Sequence, residues 1–350
     1  MTSIGEYAFS GCSGLQSVVV GNGVTTLPRY VFATGNRLNS FTIGTGVLSI
    51  NLYAFDSPNL TYDEPIKTIW LTNTPPSGYI NAAGTVNYVA NEQYTSLSNK
   101  TVYPFLSSMF VVDGVRYVPV SPSERTCDAI DCLYDEAAEN INIGETVTNQ
   151  GITMTVKQIH PYAFYQNTYI KDVSLDFNGQ IGLKAFYQST GISTLEIGNH
   201  LTNINEEAFY GCTGLTTATI NNKGAIGDEV FQGCSSLQTA TLGEEVTAIG
   251  SNTFYGCSAL RAIVIPNAVQ TLGSYAFQGC SSMSSVQMGS GVTSIETSTF
   301  SGCSSLTNMQ IGSSVATING YAFYNCSSLT SIHIPQATTN INNYVFSGCI

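Results

Sequence analysis

Charge is what this chain has least of. Of its 350 residues, 10% are Asp, Glu, Lys or Arg, against roughly 25% in an ordinary soluble domain. Cations are the scarcer sign: 11 Lys and Arg stand against 23 Asp and Glu, a formal charge of −12. So few cations cannot neutralise many phosphates, which excludes a basic nucleic-acid binder. No apolar run reaches about 18 residues, so the sequence holds no helical membrane span. Histidine occurs three times, at 160, 200 and 333. None has a Cys or carboxylate at nucleophile or ligand spacing, so all three are expected at the solvated surface. No G-x-S-x-G, H-E-x-x-H, Walker loop or C-x-x-C is present, which leaves hydrolase, nucleotide and zinc-ribbon chemistry without support. Disorder is excluded from the other side, because aromatics make up 11%.

What is abundant is repetition. Phe recurs at 9, 32, 55, 164, 186, 209, 231, 254, 277, 300, 323 and 346, spaced by 22 or 23 residues except for one gap of 109. Within a unit, Leu260-x-x-Ile263-x-Ile265 has the strand spacing of a leucine-rich repeat. Residues 263 and 265 alternate as one face of a strand must. The remaining apolar positions, Val269, Leu272 and Phe277, fall too irregularly for a long helix. The pattern predicts an α/β solenoid, mostly β: a right-handed leucine-rich-repeat superhelix. Its parallel sheet lies on the concave face and its convex segments are short, irregular or 3-10. A single unit cannot bury its apolar edge, so units must stack. At ~4.8 Å per strand the second block spans about 40 Å. The phenylalanines should form one buried row.

Units such as Ile318-Asn-Gly-Tyr-Ala-Phe323-Tyr-Asn-Cys326-Ser-Ser-Leu329-Thr-Ser-Ile332-His-Ile334-Pro resemble the BspA-like, or Treponema pallidum-type, leucine-rich repeats. The resemblance covers residues 1–60 and about 152–350. It implies a protein of host-associated bacteria, secreted or at the cell surface, with a non-enzymatic adhesion or ligand-binding role. It implies no cofactor.

The organisation expected is a first repeat block over 1–65, a closing cap over 66–108, an opening cap over 109–158 and a second block over 159–350. In the interruption, Ile66-x-x-Ile69-x-Leu71 and Val86–Val89 read as strands, 73–78 as a loop, and 91–97 as a short helix capped by Asn91. Asp113-Gly114 favours a type I′ hairpin between Met109–Val112 and Val115–Val118. Residues 141–143 and 152–156 read as strands around a turn at 149–151, and the module resembles those that open BspA-like arrays. Both chain ends cut into repeats, at Ile4 and Ile350, so a piece of something longer is expected, with apolar terminal faces able to self-associate end to end.

Eight of ten cysteines sit three after the Phe: 12, 212, 234, 257, 280, 303, 326 and 349. They are expected as small buried thiols; a row of bridges or a metal ladder is the competing reading. Cys127 and Cys132 are too far apart to bridge in a straight strand and could pair only around a turn at 129–130. Seven acids fall in 124–145 without the D-x-[DN]-x-[DN]-G calcium pattern; a solvated turn is the expectation, a calcium site or carboxylate pair the alternative. Twelve of the 20 tyrosines lie two before or one after a repeat Phe. They should cover the convex edge, or form a contact surface.

Alternation puts Thr217, Thr219, Thr239, Thr241, Ser285, Gln287, Asn308, Gln310, Ser331 and His333 on the outward concave face as the candidate ligand-binding residues. The face is polar and nearly uncharged. It lacks the aromatic platforms of a strong sugar site, and its two T-x-T rows are too few for an ice-binding sheet. It suits spread contact with a protein or glycan of a host or neighbouring cell, where binding comes from area and multiplicity. Capture of a glycan, and a spacer whose active part lies elsewhere, are the alternatives. No catalytic or metal residues are expected.

Overall fold

The structure, a computed structural model, describes residues 2–12, 17–21, 23–24, 26–28, 31, 40–43, 49–50, 68–71, 101–103, 110–121, 125–132, 139–149 and 151–350. The expected loop at 73–78, strand at 86–89 and helix at 91–97 lie outside these residues. The chain divides into two compact units. One comprises Met1–Phe110 with Val118–Arg125, the other Val111–Tyr117 with Thr126–Ile350.

In the first unit a parallel ladder runs in the order Ser17–Val20, Ser40–Ile43, Thr68–Leu71, Thr101–Tyr103. A second short ladder pairs Thr26–Leu27 with Ser49–Ile50. The turns at Ser17–Val20 and Ser40–Ile43 thus each contribute one four-residue and one two-residue strand.

The second unit repeats that plan. It opens with Thr146–Asn149 antiparallel to Ile152–Ile159, which in turn pairs in parallel with Thr126–Cys132. Asp113 and Gly114 both hold positive φ, 48° and 77°, as a type I′ turn demands. Strands of four or five residues then follow one per turn: Asp172–Asp176, Thr194–Ile197, Thr217–Ile220 and Thr239–Leu242 stack on Asn140–Gly144 in strict register. The two-residue strands form the other ladder, from Gln180–Ile181 to Thr271–Leu272. Burial along each long strand alternates, so Leu195, Ile197, Ala218 and Ile220 turn inward while Thr194, Glu196 and Thr217 face out. The fold is therefore a mostly-β solenoid. Among the described residues there is no helix, and the segments joining the ladders are turns rather than 3-10.

The core is the expected aromatic row. Phe164, Phe186, Phe209, Phe231, Phe254, Phe277, Phe300 and Phe323 are fully buried. Successive rings stack at 4.7–5.5 Å. The turns bearing them are joined by a ladder of their own. In the Phe254 turn the amides of Asn252, Phe254 and Gly256 donate to Ser274, Ala276 and Gln278 of the next turn at 2.8–3.0 Å. Every second amide must point along the solenoid axis. The backbone achieves this by going left-handed two residues before and two after each Phe. Tyr162, Lys184, Glu207, Glu229, Asn252, Tyr275, Ser298, Tyr321 and Tyr344 form the first column, with φ between 53° and 62°. Gly211, Gly233, Gly256, Gly279 and Gly302, with Gln166, Gln188 and Asn325, form the second.

The cysteine row is a hydrogen-bonded ladder of free thiols. From Cys212 onward each Sγ–H donates to the carbonyl of the Phe one turn earlier: Cys212 to Phe186, Cys234 to Phe209, Cys257 to Phe231, and so on to Cys349, at 3.1–3.3 Å. Where the row lacks cysteine, other donors substitute. Ser189 donates to the Phe164 carbonyl at 2.5 Å, and Asn167 reaches the Cys132 sulfur at 3.1 Å. Cys127 and Cys132 are also free, both buried on the strand Thr126–Cys132.

Candidate functional site

A strand of this solenoid is positioned by pairing on both sides, and one backbone amide just after the strand closes each step. Gly198 donates to Leu175, Asn221 to Ile197, Gly243 to Ile220 and Gly289 to Ile265, all at 2.7–2.9 Å. At two turns that amide is missing for a covalent reason. Pro266 follows Ile265 and Pro335 follows Ile334, and proline has no N–H. The outward sheet is interrupted at both places. Thr239–Leu242 ends one ladder, and a separate three-stranded ladder of Ala262–Ile265, Ser285–Met288 and Asn308–Gln310 begins beyond it. Residues 331–334 carry no strand at all.

This arrangement sorts the predicted face. Thr217, Thr219, Thr239 and Thr241 pair with one another on the first ladder. Ser285, Gln287, Asn308 and Gln310 pair on the second. All are exposed except Thr219 and Ser285, which are half-buried. Ser331 and His333 are exposed but do not lie on a strand, a correction to the alternation reading. Pro335 removes the donor that would tie their segment to the preceding turn. Val264, 55% exposed, adds an apolar spot to the second group.

The proline interruptions coincide with concavity. A groove of about 350 Å³ lies along the end of the three-stranded ladder, lined by Val264, Pro266, Asn267, Gln287 and Gln310, with Glu244 at its margin. A second hollow of about 590 Å³ adjoins it, sharing Ile311 and Ser313 and including His333 and Pro335. Of the ten predicted residues, the structure places Gln287, Gln310 and His333 at these hollows; the threonine group lies away from them. The lining combines amides, hydroxyls and one carboxylate, a surface able to hydrogen-bond along a ligand. The signal missed in the sequence is the proline itself, which ends both Ile-Val-Ile-Pro and Ile-His-Ile-Pro. The floor is fixed tightly, since a Cβ on Gly289 or Gly312 would lie 2.7 and 2.3 Å from backbone atoms of the preceding turn.

Two histidines have carboxylate partners the spacing did not reveal. His160 Nε2 lies 2.9 Å from Asp128 Oδ2, which also accepts from Gln158 Nε2 at 2.9 Å. Both side chains are largely buried, and Asp128 Oδ1 has no hydrogen-bond partner. The partners are 32 residues apart because the strand Thr126–Cys132 pairs with Ile152–Ile159. His160 is thus no solvated surface residue. His200 meets Asp176 at 2.9 Å in the open, and His333 is exposed. Burial, reinforced by the Asp128 charge, pushes the neighbouring Cys127 thiol up to about 12, which disfavours its thiolate. Among the described residues, no three His, Cys, Asp or Glu come together as metal ligands. No described helix is long and apolar enough to cross a membrane.

A family model described as the BspA type leucine rich repeat region matches residues 1–69, 139–261 and 224–350, in six copies. No curated protein matches the chain. Among solved structures, the leucine-rich repeat protein of Treponema pallidum is 23% identical over 63% of this chain and 90% of that one, with a TM-score of 0.45. A leucine-rich repeat protein from Eubacterium ventriosum is 19% identical over 99% and 80%, TM-score 0.43. A leucine rich cell surface protein from Faecalibacterium prausnitzii is 20% identical over 67% and 94%, TM-score 0.31.

Proposed function

The chain belongs to the BspA-type leucine-rich repeat family, and from that premise we propose that it is a non-enzymatic binding protein, secreted or held at a bacterial cell surface. Its ligand is a protein on a host or neighbouring cell. The observation that carries this reading is the three-stranded ladder set off by Pro266 and Pro335, where outward amides border a groove. Gln287 and Gln310 are paired neighbours on that ladder and line the same groove. Their uncharged side chains can donate and accept along an extended ligand. Single contacts of this kind are weak, so affinity comes from area and from several turns engaging at once.

Two double variants divide the face. Gln287→Lys with Gln310→Lys alters the groove, and Thr217→Lys with Thr239→Lys alters the threonine group. Binding to immobilised matrix proteins at physiological salt should fall at least about tenfold in the first and change little in the second, a loss of about 1.4 kcal/mol. Equal binding by the glutamine pair and the wild type sinks the assignment. Saturable binding to a glycan array instead of to proteins transfers the role to sugar capture. Silence in both screens leaves a display scaffold.

A further inference from the structure

We propose that Tyr165, Tyr187 and Tyr210 form an oxidative cross-linking site, where a one-electron oxidant of the peroxidase class joins adjacent rings as dityrosine and staples consecutive turns. The inference does not depend on the groove or its ligand. Each of the three residues follows a repeat Phe, and 22 and 23 residues separate them along the chain. Stacking of the turns brings them together. Tyr165 and Tyr187 lie 5.1 Å apart at 5°, and Tyr187 and Tyr210 lie 4.8 Å apart at 8°. Near-parallel rings at that separation are offset rather than overlaid, so ring edges, which carry the ortho carbons, are opposed. All three side chains are half-buried, with part of each open to solvent. Lys184 flanks the central ring, with Nζ 5.2 Å from the Tyr187 centroid and 3.1 Å from Glu207 Oε1.

In the coupling step two phenols each lose one electron and one proton, and the resulting phenoxyl radicals join through their ortho carbons. Each ortho hydrogen then moves to its phenolic oxygen, which restores both rings. The pair has given up two electrons and two protons in all. Hydrogen peroxide, acting through the peroxidase, takes them up and leaves as two water molecules. Coupling within the stack is favoured over coupling between molecules, because the partners are already held side by side. Cys212, whose thiol would quench a radical on Tyr210, is buried. The thiol row itself is free and bonded to carbonyls, so it provides no covalent link between turns; the tyrosine row does once oxidised. The same column contains its own control. Its next positions are Gln232, Tyr255 and Gln278. Tyr255 is more exposed than the stacked rings, at 39%, yet the column gives it no tyrosine on either neighbouring turn.

The test treats the full chain with a haem peroxidase and hydrogen peroxide, digests it with trypsin and maps the products by tandem mass spectrometry. Tyr165 falls in the peptide ending at Lys171, Tyr187 and Tyr210 in the one ending at Lys223, and Tyr255 in the one ending at Arg261. The expected products are a link between the first two peptides and a link within the second, each lighter by two hydrogen atoms. Tyr187→Phe should lose both links, whereas Tyr210→Phe should lose only the second and keep the first. Tyr255 should stay unlinked despite its exposure. The linked chain should melt at a higher temperature than the untreated one, since a bond closing a loop of 22 or 23 residues constrains the unfolded state. Links at Tyr255 as frequent as at Tyr187 overturn the proposal, because exposure rather than stacking would then select the site. Cross-linked dimers without intramolecular links, or oxidation of Tyr187 without coupling, overturn it as well.

Discussion

A single residue in this solenoid is constrained first by its backbone. Each Phe is flanked by two left-handed positions, and the sequence shows only one of them. The position two after the Phe is glycine in Gly211, Gly233, Gly256, Gly279 and Gly302, so its demand is visible as Gly-Cys. The position two before is held by Tyr, Lys, Glu, Asn or Ser, none of which announces a positive φ. The inter-turn amide ladder imposes that φ, and an isolated turn has no such ladder to show. Gly279 separates backbone cost from packing, because a Cβ there would meet nothing nearer than 3.7 Å. Gly279→Ala should therefore lose about 1–2 kcal/mol, the left-handed penalty of a non-glycine residue. Gly279→Asn should lose less, since Asn325 already holds this column at φ 56° and asparagine bonds locally in that conformation. Urea melts of the two variants check it; equal losses would mean that packing, not φ, sets the cost. The thiol ladder was legible as a row of cysteines, but Ser189 and Asn167 were not legible as its members, because their role is a donor in a three-dimensional column rather than a residue type.

At the scale of the strand, proline decides where the outward sheet stops. Alternation correctly read the long strands from Asp172 to Gln310, because burial on one face forces period two. It failed at Ser331 and His333, where alternation persists but the pairing amide is gone. Pro335→Val restores an N–H opposite the Ile311 carbonyl. The new hydrogen bond contributes about 0.5–1.5 kcal/mol, and loss of proline's rigidity in the unfolded chain offsets about 0.4–1 kcal/mol of it. Net stability should move by less than about 1 kcal/mol. The clearer readout is hydrogen exchange: the residue 335 amide of the variant should be protected, and the amides of 331–334 should slow with it. Fast exchange across 330–335 in the variant would show that the interruption has another cause. The Asp128–His160 contact belongs to this scale as well. It depends on which strands pair, and that is set by long-range topology, so a separation of 32 residues gave no sign of it.

For the whole molecule, the thiol column ties stability to pH. Burial raises the thiols of Cys212, Cys234, Cys257, Cys280, Cys303 and Cys326, with Cys234 and Cys326 pushed up to about 12. The cause is desolvation, which penalises the thiolate in a core of stacked phenylalanines. Above about pH 9 an unfolded chain loses these protons while the folded chain keeps them, so the folded state binds more protons and stability falls as pH rises. The contribution is fully present below about pH 9 and declines towards pH 12. Several thiols act together, so the decline should be steeper than one residue could give. Tyr162 and Tyr187 are also raised by burial and share part of the slope, which a variant can separate. Replacing Cys257 and Cys280 by serine keeps a donor in the column, as Ser189 shows, and removes two titrating groups. Melting temperatures between pH 8 and about 10.5 should fall less steeply in that double variant than in the wild type. The same desolvation withholds the nucleophilic thiolate. Iodoacetamide at pH 8 should therefore modify the exposed Cys12 well before the buried row. Parallel pH profiles in the two proteins, with the row alkylated as fast as Cys12, would mean that the turns open too readily for burial to govern the thiols.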